Sequence, residues 1–458
     1  MTYVKNRSGS FCAGGVGVYL GYILSLAVLA GVWGCSGSGN GSGRNAESLL
    51  RPPSPAPANI VLISLDTLRA DHLGGWGYPG GYSATMDRLA ERGRIHRNVY
   101  TVIPHTTPGH ASLLTGCYPV NHGCRDNGFP IRTDVSTLAQ TLAMAGYATA
   151  GSVAHFLLSG PTSGLDRGFQ KYWSPAEPSV DASQTSDGVT VYPLNANRFR
   201  PWPRVNAAAR TWLAETPEPF FLFLHYYECH KPYRPPVPMN SIPGLHPYDG
   251  EIAGVDSAVA ELLRMLHARS ALDRTEIIIT ADHGESLGEH GYHGHGYHLY
   301  YPSMSIPWIS WYSGGPEGAV QTGLRRIMDI MPSMLQARKI PVPLLIDGRA
   351  DSETVDTAFG ESPSLYSDEP QRRIRSVRTD EYALIYRRNA GLREMYDLKQ
   401  DPAEKTNLTR RRLKTARKLT RRIESFTKTD TEEVLRPETN LRPEVQDALR
   451  ALGYMNGE

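Results

Sequence analysis

The stretch NIVLISLDTLRADHL, residues 59–73, decides the fold. Residues 60–65 form an apolar run broken only by Ser64, with no polar alternation through it. A strand wetted on one side alternates. One that does not is buried on both faces, the habit of parallel sheets covered by helices. The run stops at Asp66, so the carboxyl end of a buried strand carries an acid.

Outward from there the pattern repeats. Met86, Leu89 and Ala90 mark a helix that ends near Gly93. Ser136 is the expected N-cap of a helix presenting Leu138, Leu142 and Ala145, with Gly146 as its stop. Residues 148–154 return as a strand, and 220–224 are another apolar run. Ile252, Val255, Val259, Leu262, Leu263 and Leu266 recur at helical spacing. Residues 275–280 make a further buried strand and 307–311 one more. This alternation predicts an α/β fold: a largely parallel central sheet flanked by helices. Beyond residue 350 the character changes. Residues 374–386 and those around Tyr396 read as short antiparallel strands. They precede a basic helix over 410–428 with Leu413, Ala416, Leu419, Ile423 and Phe426 on its inner side. The expected division is a main domain over 58–350 and a small C-terminal α+β subdomain over 351–458. The basic run reads first as a solvated face and second as a surface for an anionic partner.

The first 57 residues stand outside the fold. Lys5 and Arg7 precede an uncharged run over 14–34, and Cys35 follows. That order reads as a lipoprotein signal with Cys35 lipidated; an uncleaved anchor and plain secretion are the alternatives. All three export the remainder, and the first two tether it to a membrane. Residues 36–57 are Gly/Ser-rich and then Pro-rich, a linker. The net charge of +2 gives no global reason to expect a nucleic-acid partner. Cys117 and Cys124 are close enough to pair in an oxidising compartment, or they remain two buried thiols.

Three buried strands end in polar chemistry. The first ends in Asp66; the 220 strand runs into His225, Glu228 and His230; the 275 strand runs into Asp282 and His283. In parallel sheets these are the ends at which ligands bind, and all three are rich in metal-ligand types. A further element is TTPGHASLLTG, residues 106–116. Pro108 disfavours helix at Thr107, so a helix is expected from His110 to Leu114. A hydroxyl at a helix N-terminus suits an anionic substrate, and a threonine hydroxyl needs metal coordination to become a nucleophile. Glu289, His290, His293, His295 and His298 form either a metal loop or an exposed loop.

These segments, in this order, resemble the sulfatase family of the alkaline-phosphatase superfamily. Residues 59–73 are similar to its first strand and metal aspartate, and 106–116 to its nucleophile motif. Tyr118-Pro119 and His122-Gly123 follow as in the family. FLFLHYYECHKPYRPP (221–236) and ADHGESLGEHGYHGHGYHLY (281–300) resemble its later site segments, and MYDLKQDPAEKTNL (395–408) and LRALGYM (449–455) its C-terminal signatures. The departures are informative. Sulfatases place a cysteine or serine at the nucleophile and convert it to formylglycine; Thr106 cannot become that aldehyde. They carry Arg four residues on, where this chain has His110, and paired early aspartates, where Thr67 follows Asp66. Their late Asp-Asn pair is Asp282–His283 here. Thr, Pro and His at this spacing look like the nucleotide pyrophosphatase/phosphodiesterase branch. Asn127, 21 residues beyond Thr106 (127 − 106), falls where that branch keeps an asparagine on the phosphoryl oxygen.

The resemblance implies a hydrolase of phosphate or sulfate esters, phospho(di)esters favoured, with Thr106, Asn127 and His110 catalytic. Asp66, Thr106, Asp282 and His283 would hold a divalent metal, zinc or manganese rather than calcium because imidazole joins the ligands. His230 and His295 would bind the substrate anion or, with Glu228, a second ion. One rival is a sulfuric ester hydrolase working without formylglycine. The other is an inactive surface protein that binds an anionic glycan or lipid.

Overall fold

The computed structural model describes residues 57–175, 199–362, 374–387 and 390–427, with short pieces at 183–184, 190–191, 445–447 and 449. The N-terminal export and linker segments, most of 174–200, and most of the last signature lie outside the described residues.

Eight strands form the main sheet: β1 (Asn59–Leu65), β2 (Arg94–Tyr100), β3 (Ala148–Val153), β4 (Lys171–Trp173), β5 (Phe220–Tyr226), β6 (Thr275–Thr280), β7 (Trp308–Trp311) and β8 (Ala319–Arg326). Their order is β8-β2-β7-β6-β1-β5-β3-β4. β7 runs antiparallel to both of its neighbours, and every other pairing is parallel. Every residue of β1 and β5 is buried, as the unbroken apolar runs require.

The helices longer than one turn are α1 (Ala84–Glu91), α2 (Thr106–Thr115), α3 (Leu138–Met144), α4 (Trp202–Glu215), α5 (Pro247–Ala268), α6 (Ile330–Ala337) and α7 (Leu413–Phe426), among the described residues. α1, α4 and α5 pack together, and α2, α3 and α6 make the second group, so the sheet is covered on both faces. Among the described residues no helix is long and apolar enough to cross a membrane. A four-stranded antiparallel sheet follows: β9 (Ala358–Ser362), β10 (Ile374–Arg378), β11 (Tyr382–Arg387) and β12 (Leu392–Asp397). The inner face of α7 lies on it, with Ala416, Leu419 and Ile423 against Val377, Leu384 and Met395.

Several local expectations are corrected. α2 starts at Thr106, four residues earlier than predicted. Pro108 sits in the first turn, where a backbone N–H has no helical partner to lose, so the ring is tolerated there. The cap of α3 is Thr137 rather than Ser136; its hydroxyl accepts from Gln140 N while the Gln140 side chain returns to Thr137 N. Leu413, expected on the inner side of α7, is 52% exposed because it is the first residue of the helix and reaches past the sheet. Cys117 and Cys124 are two separate buried thiols.

Candidate active site

The pairing of β1 with both β5 and β6 brings the three polar strand ends together. Ser64 of β1 lies level with His225 on one side and Thr280 on the other. Asp66 is fully buried, and its Oδ2 lies 3.1 Å from His225 Nε2. His225 Nδ1 accepts the Ala154 N–H, so Nε2 carries the proton and donates to the carboxylate. This leaves Asp66 Oδ1 with no partner. Asp282 is held similarly: Oδ1 accepts from Thr67 N (3.2 Å) and His283 N (2.9 Å), while Oδ2 accepts no hydrogen bond. Thr67 adopts the left-handed backbone, φ 58°, which is costly for a β-branched residue and turns its N–H onto that carboxylate. His283 Nδ1 faces the Gly284 carbonyl at 3.0 Å, an acceptor only, so Nδ1 is the protonated nitrogen. The unpartnered Nε2 keeps its lone pair, the tautomer a cation needs.

Thr106 joins from α2. Its Oγ1 is buried without a partner in the first turn of the helix. Asp282 lies against that turn: a Cβ on Gly109 would come 3.1 Å from the Asp282 carbonyl oxygen and 3.2 Å from its Cβ, tighter than ordinary van der Waals contact. His110 fixes the turn. Nδ1 donates to the Thr106 carbonyl at 2.7 Å and Nε2 faces the Ser64 hydroxyl at 2.9 Å. Burial first, and then His225, hold its pKa well below the ordinary value. Both nitrogens of this neutral ring are engaged within the protein, so His110, expected among the catalytic residues, serves to position Thr106. Asn127 Oδ1 accepts the Thr107 N–H at 2.8 Å, which ties its amide to the same turn.

Burial pushes the Asp66 carboxyl up to about 8, and burial with the Asp66 charge holds Asp282 well above the carboxylate range. Two buried carboxylates this close need a compensating positive charge. Ligand atoms of Asp66, Asp282 and His283 lie within 4.8 Å of one another. These three fit a divalent cation: each offers a buried lone pair that no proton donor of the protein satisfies, and the Thr106 Oγ1 is likewise buried without a partner.

A second group lies beside this set. The His295 ring is 4.3 Å from the His283 ring and 5.0 Å from the His230 ring, centroid to centroid. His230 Nδ1 donates to the Lys231 carbonyl at 2.5 Å. Burial, and then His295, lower its pKa to about 4. His295 Nδ1 pairs with Glu285 Oε1 at 2.9 Å. Glu228 is not part of this group. Its carboxylate accepts the backbone N–H groups of Trp202 (2.5 Å), at the start of α4, and Tyr227 (3.1 Å). Each of its oxygens is thereby engaged by a backbone amide.

The sequence reading missed Glu285, two residues beyond His283 in the same segment. It also missed the pair formed by His105 and Asp126. His105 Nδ1 lies 2.8 Å from the Asp126 carboxylate and Nε2 3.1 Å from the Gly296 carbonyl. Burial opposes its charge most strongly, but Asp126, the Gly296 carbonyl and Glu361 together outweigh it and its pKa is raised. Of the remaining histidines of 289–298, His290 stacks on Tyr300 and His298 against Tyr292, while His293 is exposed.

The sulfatase family profile matches residues 58–340, and the profile described as N-sulphoglucosamine sulphohydrolase, C-terminal, matches 288–429. The chain is similar to arylsulfatase A of Homo sapiens, 26% identical over 77% of this chain and 83% of that protein. It is also similar to an ulvan-active sulfatase of Formosa agariphila, 24% identical over 77% of each. In three dimensions it resembles the phosphonate monoester hydrolase of Agrobacterium radiobacter, with a TM-score of 0.65 and 19% identity over 80% of this chain and 95% of that one.

Proposed function

The chain belongs to the sulfatase family and is an ester hydrolase, and from that premise we propose that it cleaves phosphoryl esters, phosphodiesters above all, with Thr106 as nucleophile. The observation that carries this is the buried, unpartnered Thr106 hydroxyl in the first turn of α2, beside the donor set of Asp66, Asp282 and His283. A threonine cannot supply the formylglycine of sulfate-ester chemistry, but its hydroxyl can attack phosphorus directly.

Asp66, Thr106, Asp282 and His283 would hold one divalent ion, zinc or manganese in preference to calcium because a nitrogen joins the oxygens. When bound, the ion supplies positive charge that acidifies the hydroxyl and offsets the charge of the ester. Thr106 Oγ bonds to phosphorus as the bond to the leaving oxygen breaks, and the leaving oxygen takes up the proton that the threonine gives up. Water then opens the phosphothreonine and restores the hydroxyl. Asn127, held by Thr107 N, donates to a non-bridging oxygen. His230 and His295 contact the anion rather than a second ion, a reading supported by the commitment of Glu228 elsewhere. The basic, apolar, then Cys35 order of the N-terminus supports an exported enzyme tethered at Cys35.

A second reading, hydrolysis of sulfate esters by the unmodified threonine, draws support from the sulfatases among its relatives. A panel of nitrophenyl phosphate, bis(nitrophenyl) phosphate, a nitrophenyl phosphonate and nitrophenyl sulfate, assayed with zinc and with manganese, separates the two. The phosphoryl diester or phosphonate should be the best substrate. Preferential turnover of the sulfate would overturn the proposal.

A further inference from the structure

Residues 410–422 read RRRLKTARKLTRR: eight cations, six of them arginine, and no acid. The chain has 48 cations for a net charge of only +2, so this is a local concentration rather than a general excess. The structure places it on a rigid support. α7 buries Ala416, Leu419 and Ile423 against β10–β12. At 100° per residue, Lys414, Arg417, Lys418 and Arg421 then fall within about 100° of arc on the opposite side, along about 10 Å of helix. All four are exposed, and among the described residues none makes an ion pair. Arg422, at the edge of the stripe, is the one engaged, by Thr357 and Asp356.

The stripe opens into a cleft of about 840 Å³. Arg393, Arg410, Arg411 and Arg417 line it against a single acid, Glu394, whose Oε2 accepts from the hydroxyls of Tyr300 and Tyr396. Leu392 and Leu413 stand at its wall, each more than half exposed. Arginine guanidinium groups grip sulfate and carboxylate oxygens through paired N–H donors. Exposed leucines offer an apolar surface to the face of a sugar ring. A lipid surface fits less well: the apolar side of α7 is spent on the protein, leaving only Leu413 in its first turn and Leu392 beside it to insert between lipids.

We propose that the exposed stripe of α7 and the adjoining cleft are a docking site for a sulfated or carboxylated polysaccharide, separate from the hydrolytic centre. It does not depend on which ester the Thr106 centre cleaves. Such a site holds a polymeric anion on the enzyme through several weak contacts at once.

The test uses the full chain and the variant Lys414→Gln/Arg417→Gln/Lys418→Gln/Arg421→Gln, which keeps the buried face of α7. Binding is measured to dextran sulfate, uncharged dextran, duplex DNA and phosphatidylglycerol vesicles across a salt series, with turnover of the best small chromogenic ester as the folding control. The native protein should bind dextran sulfate and not dextran, and should stay bound to it at salt that releases DNA and vesicles. The variant should bind dextran sulfate on the order of tenfold more weakly or worse, with a salt slope lower by about 3, four cations at roughly 0.7–0.9 each. Its small-ester turnover should be unchanged. If the quadruple variant does not fold, Lys414→Gln/Lys418→Gln should lower the slope by about half as much. Equal binding of dextran sulfate by native and variant proteins would overturn the proposal, as would tighter binding to DNA or to vesicles.

Discussion

Replacing Arg378 with Met should destabilise the protein by about 3–5 kcal/mol, because it strands a buried carboxylate. Arg378 is 1% exposed and Glu404 is fully buried, and the two meet at 2.8 Å. The same guanidinium donates to the Leu299 carbonyl at 2.6 Å and lies over the Tyr100 ring at 5.3 Å. Glu404 in turn accepts the Tyr301 N–H at 2.7 Å. The pair therefore fastens the C-terminal sheet to the segment that follows His295. Methionine fills much of the volume but leaves Glu404 with only the Tyr301 amide. At about 1.4 kcal/mol per decade, the unfolded population should rise by roughly two to three and a half orders of magnitude. Thermal unfolding should shift down by roughly 4–6 °C for a chain of this size. Urea unfolding and thermal melts measure it. The double variant Arg378→Met/Glu404→Leu removes both charges and should recover most of the loss. A single variant within about 1 kcal/mol of the native protein would refute the reasoning, since it would mean the buried charge costs nothing.

Three further outcomes are expected. Asp282→Ala/His283→Ala should lose most of its bound metal by elemental analysis; full occupancy would reject the donor set as drawn. Burial pushes Glu228 up to about 7 from an ordinary value near 4.5, against the pull of its backbone amide donors. A carboxyl raised on folding contributes stability below the unfolded value and loses it as pH rises through 7, so Glu228→Gln should flatten the fall in urea midpoint between pH 5 and pH 8. The difference is at most about 3 kcal/mol, and identical slopes would exclude Glu228 as its source. Mass spectrometry of the native N-terminus should find a lipidated Cys35; an unprocessed, cytosolic Met1 would reject export.

The core of the fold was legible because burial leaves a direct mark. β1, β5 and β6 carry apolar stretches with no polar alternation, Ile60–Ile63, Phe220–Leu224 and Ile277–Ile279, and burial on both faces satisfies them. Their polar ends, Asp66, Asp282 and His283, were legible for the same reason: each interrupts such a run at the end where ligands bind. What depends on contact between distant segments was not. The reversed direction of β7 is set by the neighbours it pairs with, and the four residues Trp308–Trp311 look alike either way. β9, with Gly360 at its centre, lacks a strand pattern and exists because β10 pairs with it. Glu285 and Glu228 are both acids a few residues from a histidine. Only the turn of each chain segment sends the first to His295 and the second to the amides at the start of α4. His110 was legible as part of the site, but its neutral, fully engaged ring is visible only once Ser64 is seen across from it.

The most direct test of the account is to catch the covalent intermediate. The metal-loaded enzyme is mixed with saturating bis(nitrophenyl) phosphate, quenched in acid within a turnover, and digested for peptide mass spectrometry beside Thr106→Ala and Thr106→Ser. The account predicts a phosphoryl adduct on Thr106 in the native protein, and a lower but measurable adduct on the serine of the second variant. In the alanine variant it predicts no adduct and turnover lower by roughly three orders of magnitude or more, with folding and metal content kept. Native-level turnover by Thr106→Ala, with no adduct in any of the three, would contradict it and leave direct attack by water as the chemistry of this site.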